Sequence, residues 1–220
     1  MNTVFLSIKH FFGGCYRKIV KTKKRITAFM RRLFLKNRAF TIISDNCWGG
    51  FVYQRYNLQY RTPTIGLFFY PPDYIKFLER IEYYLSLDLV VVNRTQSIYK
   101  SIKPERKYPV GILGDIEIQF LHYSTAEEAI KKWNDRKKRI NLNNCLIKMS
   151  NRSSMFSSDY YERFEKLPFK HKILFTKDDI KQKDCIYIEE FSRIMDTNIN
   201  EIPYTLKRIN LRKLLNGLYE

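Results

Sequence analysis

A carboxylate, an amide, a thiol and an indole stand side by side at Asp45-Asn46-Cys47-Trp48, and Gly49-Gly50 close the run. This mixture suits sugars or nucleotides: Asp45 and Asn46 would meet hydroxyls, Trp48 would stack on an apolar ring face, and glycines such as Gly49 let a ligand approach the backbone. The same residues also read as a structural turn, in which Asp45 or Asn46 caps the next segment, Trp48 fills core space and Cys47 is a small buried hydrophobe. Cys47 is further a candidate nucleophile with His122 as its base, against the simpler reading of a buried thiol. A second constellation follows Gly114, where Asp115, Glu117, Gln119 and Tyr123 alternate along one polar strand face. Asp115 and Glu117 would suit a divalent cation that holds a nucleotide diphosphate, or one of them would deprotonate an acceptor hydroxyl. The bland alternative is a half-buried strand whose polar face meets water, with His122 satisfied on the opposite, apolar face. Lys148, Ser150, Asn151 and Arg152 make a third group, at a strand end where a cation and hydroxyl donors would clamp a phosphate. Asp45 and Asp115 are thus the expected catalytic residues. Asn46, Cys47, Trp48, Gly49, Glu117, Lys148, Ser150 and Arg152 are the expected binding residues, and no metal ligands are assigned.

Elements must bring these groups together. Apolar runs alternate with helical patterns, the signature of α/β layering rather than of a bundle or sandwich. Strands are expected at Thr41–Ser44, Thr64–Phe69, Leu89–Val92, Val110–Leu113, Glu117–His122, Cys145–Met149, Lys172–Phe175 and Cys185–Ile188. Helices are expected over Pro72–Leu85, after Ser124 or Thr125 with Glu127 and Glu128 in the first turn, between Ser158 and Pro168, and over Pro203–Leu218. On the second of these, Trp133, Arg136 and Arg139 share a face that reads as packing and solvated cations. The fold class is therefore α/β, a layered mixed sheet flanked by helices. Ligands of such sheets sit outside the carboxyl ends of strands, which favours the loops after Ser44 and Met149. Neither a GxGxxG run nor a P-loop occurs.

The chain has 220 residues, 45% hydrophobic, enough for one α/β domain over 39–220 behind an arm over 1–38. Its net charge of +18 calls for an anionic partner. The charge is lopsided, because eleven Lys or Arg and no acid lie between Met1 and Arg38. There Phe5, Ile8, Phe12, Ile19, Ile26, Phe29, Met30, Leu33 and Phe34 recur near helical spacing among Lys18, Lys21, Lys24, Arg25, Arg31 and Arg32, with a break at Gly13-Gly14. This is a basic amphipathic helical arm suited to an anionic membrane surface. The alternative is a solvated basic face whose apolar stripe packs on the same protein. No stretch approaches the roughly 18 apolar residues of a membrane span, and Met1 to Phe12 does not resemble a secretory signal. Cys15, Cys47, Cys145 and Cys185 are scattered without disulfide or zinc spacing. A cytoplasmic protein, peripheral at the inner face of the membrane, is expected.

Three segments carry a family resemblance: Ser44 to Gly50, Pro109 to Tyr123, and Trp133 to Asn141 together with Leu167-Pro168-Phe169. They resemble the bacterial domain-of-unknown-function family numbered nineteen-nineteen over roughly Ala39 to Ile188, with the basic arm outside. The resemblance implies a role in capsule or exopolysaccharide assembly, and transfers no catalytic residue. The resulting expectation is a glycosyltransferase that uses a nucleotide-sugar and a lipid-linked glycan, with the cofactor open apart from a divalent cation. A glycan-modifying acyl- or phosphotransferase meets much the same residues. A non-catalytic binder of an anionic surface or nucleic acid is the competing class, with nucleic acid disfavoured because no fold signature for it is present.

Overall fold

The computed structural model describes residues 20–194 and 199–218. The first described element, α1, is helical from 20 to 33; Phe5, Ile8, Phe12, Gly13, Gly14, Lys18 and Ile19 of the expected arm, and Cys15, lie outside the described residues. Four short apolar runs then form one parallel sheet. These are β1 (Thr41–Ser44), β5 (Cys145–Ser150), β6 (His171–Thr176) and β7 (Cys185–Tyr187), in the order β1-β5-β6-β7. Three others, β2 (Val90–Val92), β3 (Val110–Leu113) and β4 (Ile116–Gln119), pair antiparallel in a second sheet. The layered α/β class read from the sequence is what the chain adopts.

Alternation along the parallel strands sends side chains into two cores. Ile43, Ile147, Met149 and Leu174 join Tyr74, Phe77 and Trp133 on one face. Ile42, Leu146 and Phe175 join Trp48, Tyr53, Leu211 and Leu215 on the other. With both faces covered, β5 reads as a continuous apolar run, as central parallel strands do. Lys148 interrupts that run and is fully buried.

Helices cover the two faces. α2 (Trp48–Tyr56) starts inside the expected loop, and buries Val52, Tyr53 and Tyr56. α3 (Pro71–Glu79) and α4 (Ile81–Ser86) replace the single helix expected over Pro72–Leu85. The break falls at Arg80 (φ −134°, ψ 42°), outside the helical region. α5 (Ala126–Lys137) begins as read: Thr125 Oγ1 accepts the Glu128 N–H at 3.2 Å and two acids occupy the first turn. α6 (Asp159–Lys166) follows Ser158, and α7 (Glu190–Arg193) follows β7. The expected terminal helix is two pieces, α8 (Ile202–Thr205) and α9 (Leu211–Gly217). Asn210 explains the break, since its side chain accepts the Lys213 N–H and caps the second piece.

The Thr64–Phe69 strand is corrected to an irregular segment. Gly66 turns at φ 72°, and only Phe68 pairs, exchanging two 2.9 Å hydrogen bonds with Gln119. Phe69 N–H donates to the Asp45 carbonyl at 2.9 Å. This segment therefore joins the carboxyl end of β1 to the end of β4, and so holds the two sheets edge to edge.

Asp73, in the first turn of α3, is 2% exposed and its carboxyl is pushed up to about 6 by burial, against a Tyr99 hydrogen bond. A folded-state value raised above the unfolded one means that stability is lost as pH rises between about 4 and 6, on the order of 3 kcal/mol in full. Asp73→Asn is expected to melt several degrees above the parent near pH 8 and level with it near pH 4. An equal offset at both pH values would reject the assignment.

Candidate functional site

β1 and β5 run parallel in register, with Ser44 opposite Lys148, so their carboxyl ends finish side by side. Asp45 follows β1, Lys148 and Ser150 lie in the carboxyl-terminal half of β5, and Arg152 follows it. Period-two alternation puts Lys148 and Ser150 on the same face as Leu146, toward the chain that returns as α8. That return brings Glu201, the one acidic residue between Asp196 and Glu220.

A buried charge cluster results. Lys148 Nζ donates to Asp45 Oδ1 at 2.8 Å, to Asn46 Oδ1 at 3.2 Å and to Glu201 Oε2. Asp45 Oδ2 accepts the Ser150 N–H at 3.0 Å and its hydroxyl at 3.2 Å. Ser150 Oγ also lies 2.9 Å from Glu201 Oε1, which further accepts Asn46 Nδ2 at 3.0 Å and stands 3.6 Å from an Arg152 guanidinium nitrogen. Two cations face two carboxylates, and Lys148 Nζ and the oxygens of Asp45 and Glu201 are all hydrogen-bonded, the condition under which buried charge is tolerated. Burial raises the Asp45 carboxyl; Lys148 opposes this, and the Glu201 charge adds to it. The side chains of Lys148 and Glu201 are 0% and 1% exposed and that of Asp45 is 12%, so Asp45 is the member that an outside molecule reaches.

What reaches it comes through a cleft of about 560 Å³ bordered by Asp45, Asn46, Cys47, Ser150, Arg152 and Glu201 at its floor. Phe68, Tyr70 and Tyr108 form one wall and Lys103 and Arg106 stand beside it. The rings brace one another edge-on, Phe68 to Tyr70 at 5.4 Å and to Tyr108 at 5.9 Å between centroids. The volume lies within the range of small-molecule sites, and its place outside the strand ends is where α/β sheets bind ligands.

Several expected site residues are elsewhere. Trp48 is 1% exposed; its ring packs on Phe175 and its Nε1 donates to Thr205 Oγ1 at 3.0 Å, so it is a core residue and not a stacking platform. Gly49 serves the protein's own packing: a Cβ there would stand 2.8 Å from Ser44 Oγ, which lets α2 lie tightly on β1. Asp115 sits at the β3–β4 turn with Lys76 Nζ at 2.9 Å and the Tyr84 hydroxyl at 2.7 Å, away from the cleft lining. Those donors hold its carboxyl below the usual range. Glu117 faces inward, accepting from Ser97 Oγ at 2.5 Å and the Ile98 N–H at 2.8 Å. Gln119 is fully buried as well, so the expected water-facing side of β4 is covered by the 97–99 segment. Asp115 and Glu117 are thus held separately and do not converge on a shared cation. Among the described residues no three His, Cys, Asp or Glu side chains gather as a metal centre. His122 is exposed at the cleft rather than satisfied in the core. Cys47 borders the same cleft, but burial pushes its thiol up to about 11, so it is not a thiolate at neutral pH. Asn46 Oδ1 accepts the Trp48 N–H at 3.0 Å, as the capping reading had it.

Glu201 and the aromatic wall were not read from the sequence. A lone acid in a basic segment, and a lysine inside the apolar run Leu146-Ile147-Lys148-Met149, are the signals that a buried pair was to be sought.

A family model described as "Domain of unknown function (DUF1919)" matches residues 16–217. The chain belongs to the DUF1919 family. The match extends the DUF1919 region beyond Ala39–Ile188 in both directions, into the basic arm and through α9. It takes in every residue of the charge cluster and of the cleft. A Haemophilus influenzae (strain ATCC 51907 / DSM 11121 / KW20 / Rd) relative, named only as an uncharacterized protein, is 34% identical over 174 residues, 77% of this chain and 79% of its own.

Proposed function

We propose that the cleft binds a nucleotide-activated sugar and transfers the sugar to a lipid-linked glycan acceptor in capsule or exopolysaccharide assembly, at the cytoplasmic face of the membrane. The observation that carries this reading is the composition of one cleft: flat aromatic rings and cations on the walls, and a buried, partly reachable carboxylate on the floor. Bases stack on aromatic faces, diphosphates pair with guanidinium and ammonium groups, and a carboxylate raised by burial takes a proton from a hydroxyl. In the transfer, the acceptor oxygen forms a bond to the anomeric carbon, the bond to the donor phosphate breaks, and the nucleoside diphosphate leaves with the electron pair. Asp45 receives the acceptor proton. Lys148 and Glu201 stay behind it as a matched pair, and Arg152 with Arg106 faces the leaving phosphates.

A thermal-shift and calorimetric screen of nucleoside diphosphate sugars tests this. At least one is expected to stabilise the protein. Tyr108→Ala and Arg106→Ala are each expected to weaken that ligand about tenfold; the exposed Arg106 should leave the melting temperature little changed, whereas Tyr108 is buried and its loss also lowers it, so affinity is compared where both variants are folded. If no nucleotide sugar shifts the melting temperature, or if the two variants bind as tightly as the parent, the cleft does not hold such a donor.

A further inference from the structure

The arm's apolar stripe was open to two readings, and its exposure speaks against the one in which it packs on the same protein. Ile26, Phe29, Met30 and Leu33 share one face of α1 by their i, i+3, i+4, i+7 spacing, and are 59%, 50%, 49% and 52% exposed. Ala28, on the opposite face, is buried, and Leu35 beyond the helix joins a core cluster. The helix therefore lies on the body by its narrow side and turns its apolar stripe outward. Lys21, Lys23, Lys24 and Arg25 are exposed alongside.

Next to this helix is a groove of about 610 Å³ lined by Phe34 and by Arg31, Arg55, Lys207, Arg208 and Arg212. Its cations have few countercharges: Glu190 pairs with Lys207 at 3.0 Å and with Arg208 at 3.8 Å. The Arg212 guanidinium lies 5.4 Å from the Phe34 ring centroid, which ties the groove to the exposed Phe34. Burial, and then the Arg55 charge, lower the Arg31 pKa below its ordinary value, as expected where cations crowd.

We infer that the α1 stripe and this groove are one docking surface for an anionic bilayer, the stripe entering the headgroup boundary and the groove holding a lipid phosphate. A bilayer satisfies both halves, since apolar side chains enter while cations stay with phosphates. A second copy of the chain would set like cations face to face, and nucleic acid would leave the apolar stripe in water. The surface also lies near the cleft: α2 and the Cys47 that precedes it border the cleft at Cys47 and Phe51, and α2 borders the groove at Arg55 and Tyr56. Its nine residues span about 13 Å. If the transfer reading holds, a membrane-bound acceptor is within reach of the floor carboxylate.

Co-sedimentation of the full chain tests this with vesicles of phosphatidylcholine alone and of phosphatidylcholine mixed with phosphatidylglycerol. Point variants are preferable to deleting residues 1–38, because deletion would remove Leu35 from the core. The parent is expected to pellet with the anionic vesicles only, and less as salt rises. Phe29→Glu with Leu33→Glu, and separately Arg208→Ala with Arg212→Ala, are each expected to weaken binding at least about tenfold, with melting temperature and nucleotide-sugar affinity unchanged. Equal pelleting with neutral vesicles, full binding by both double variants, displacement by soluble glycerol phosphate, or a solution dimer that Phe29→Glu dissociates would each overturn the inference. A cleft that binds no nucleotide sugar while vesicle binding persists would reject the transfer reading alone.

Discussion

Replacing Lys148 with methionine is expected to lower folding stability by about 3–5 kcal/mol at neutral pH, the range for removing one partner of a buried pair. Methionine matches the aliphatic length of the side chain, so packing is largely kept and the loss is electrostatic. Asp45 and Glu201 would remain in the interior with Ser150, Asn46 and Arg152 alone to balance them. Lys148 opposes the rise that burial imposes on the Asp45 carboxyl, so without it that group rises further and the variant's deficit should shrink as pH falls and Asp45 protonates. Adding Asp45→Asn and Glu201→Gln should recover a large part of the loss, because it removes the charges that lack a partner. Urea unfolding of the single and triple variants checks this; a deficit under about 1 kcal/mol, or one that is independent of pH, would mean that the ammonium is not the hub of the cluster. Asp45→Asn alone leaves Lys148 paired with Glu201. It should fold, with some loss of stability, and lose sugar transfer under the proposed mechanism.

Trp48→Ala is expected to destabilise by about 3–5 kcal/mol, with a fall in melting temperature on the order of 10 °C. The indole is among the largest fully buried side chains, packed against Phe175 and hydrogen-bonded to Thr205. Truncation leaves a cavity between α2 and the parallel sheet and removes the N–H that Thr205 Oγ1 accepts, while the Thr205 hydroxyl still donates to the Glu201 carbonyl at 3.0 Å. Trp48→Phe should retain most of the stability and lose about 1 kcal/mol for the missing donor. Both effects belong to folding, so ligand affinity in the alanine variant should stay within about twofold of the parent at temperatures where it is folded. A stable Trp48→Ala that loses affinity would return the indole to the binding site.

How much of the site was legible depended on how local its signals were. Asp45, Ser150 and Arg152 were placed at strand ends, where the structure has them beside one cleft, because strand ends can be read from an apolar run and the polar residues that follow it. Trp48 and Gly49 were misjudged for one reason: two glycines looked like a loop, since glycine disfavours helices, whereas burial of Val52, Tyr53 and Tyr56 outweighs that propensity. Asp115 and Glu117 failed differently. Period two put them on one strand face correctly, but could not tell which side of β4 would be covered, or that Asp115 would finish at a hairpin tip beside Lys76. His122 fell to the same ambiguity.

By itself, the sequence determined the α/β class, most strands, the Thr125-capped helix, and the concentration of cations ahead of residue 39, because these follow from periodicity, capping chemistry and composition along the chain. Only the tertiary structure decided that Lys148 meets Asp45 and Glu201, that the indole turns inward, and that the α1 stripe turns outward. Those outcomes depend on sheet order and on where a distant segment packs. Such contacts join residues 53 to 157 positions apart, and no local pattern encodes them.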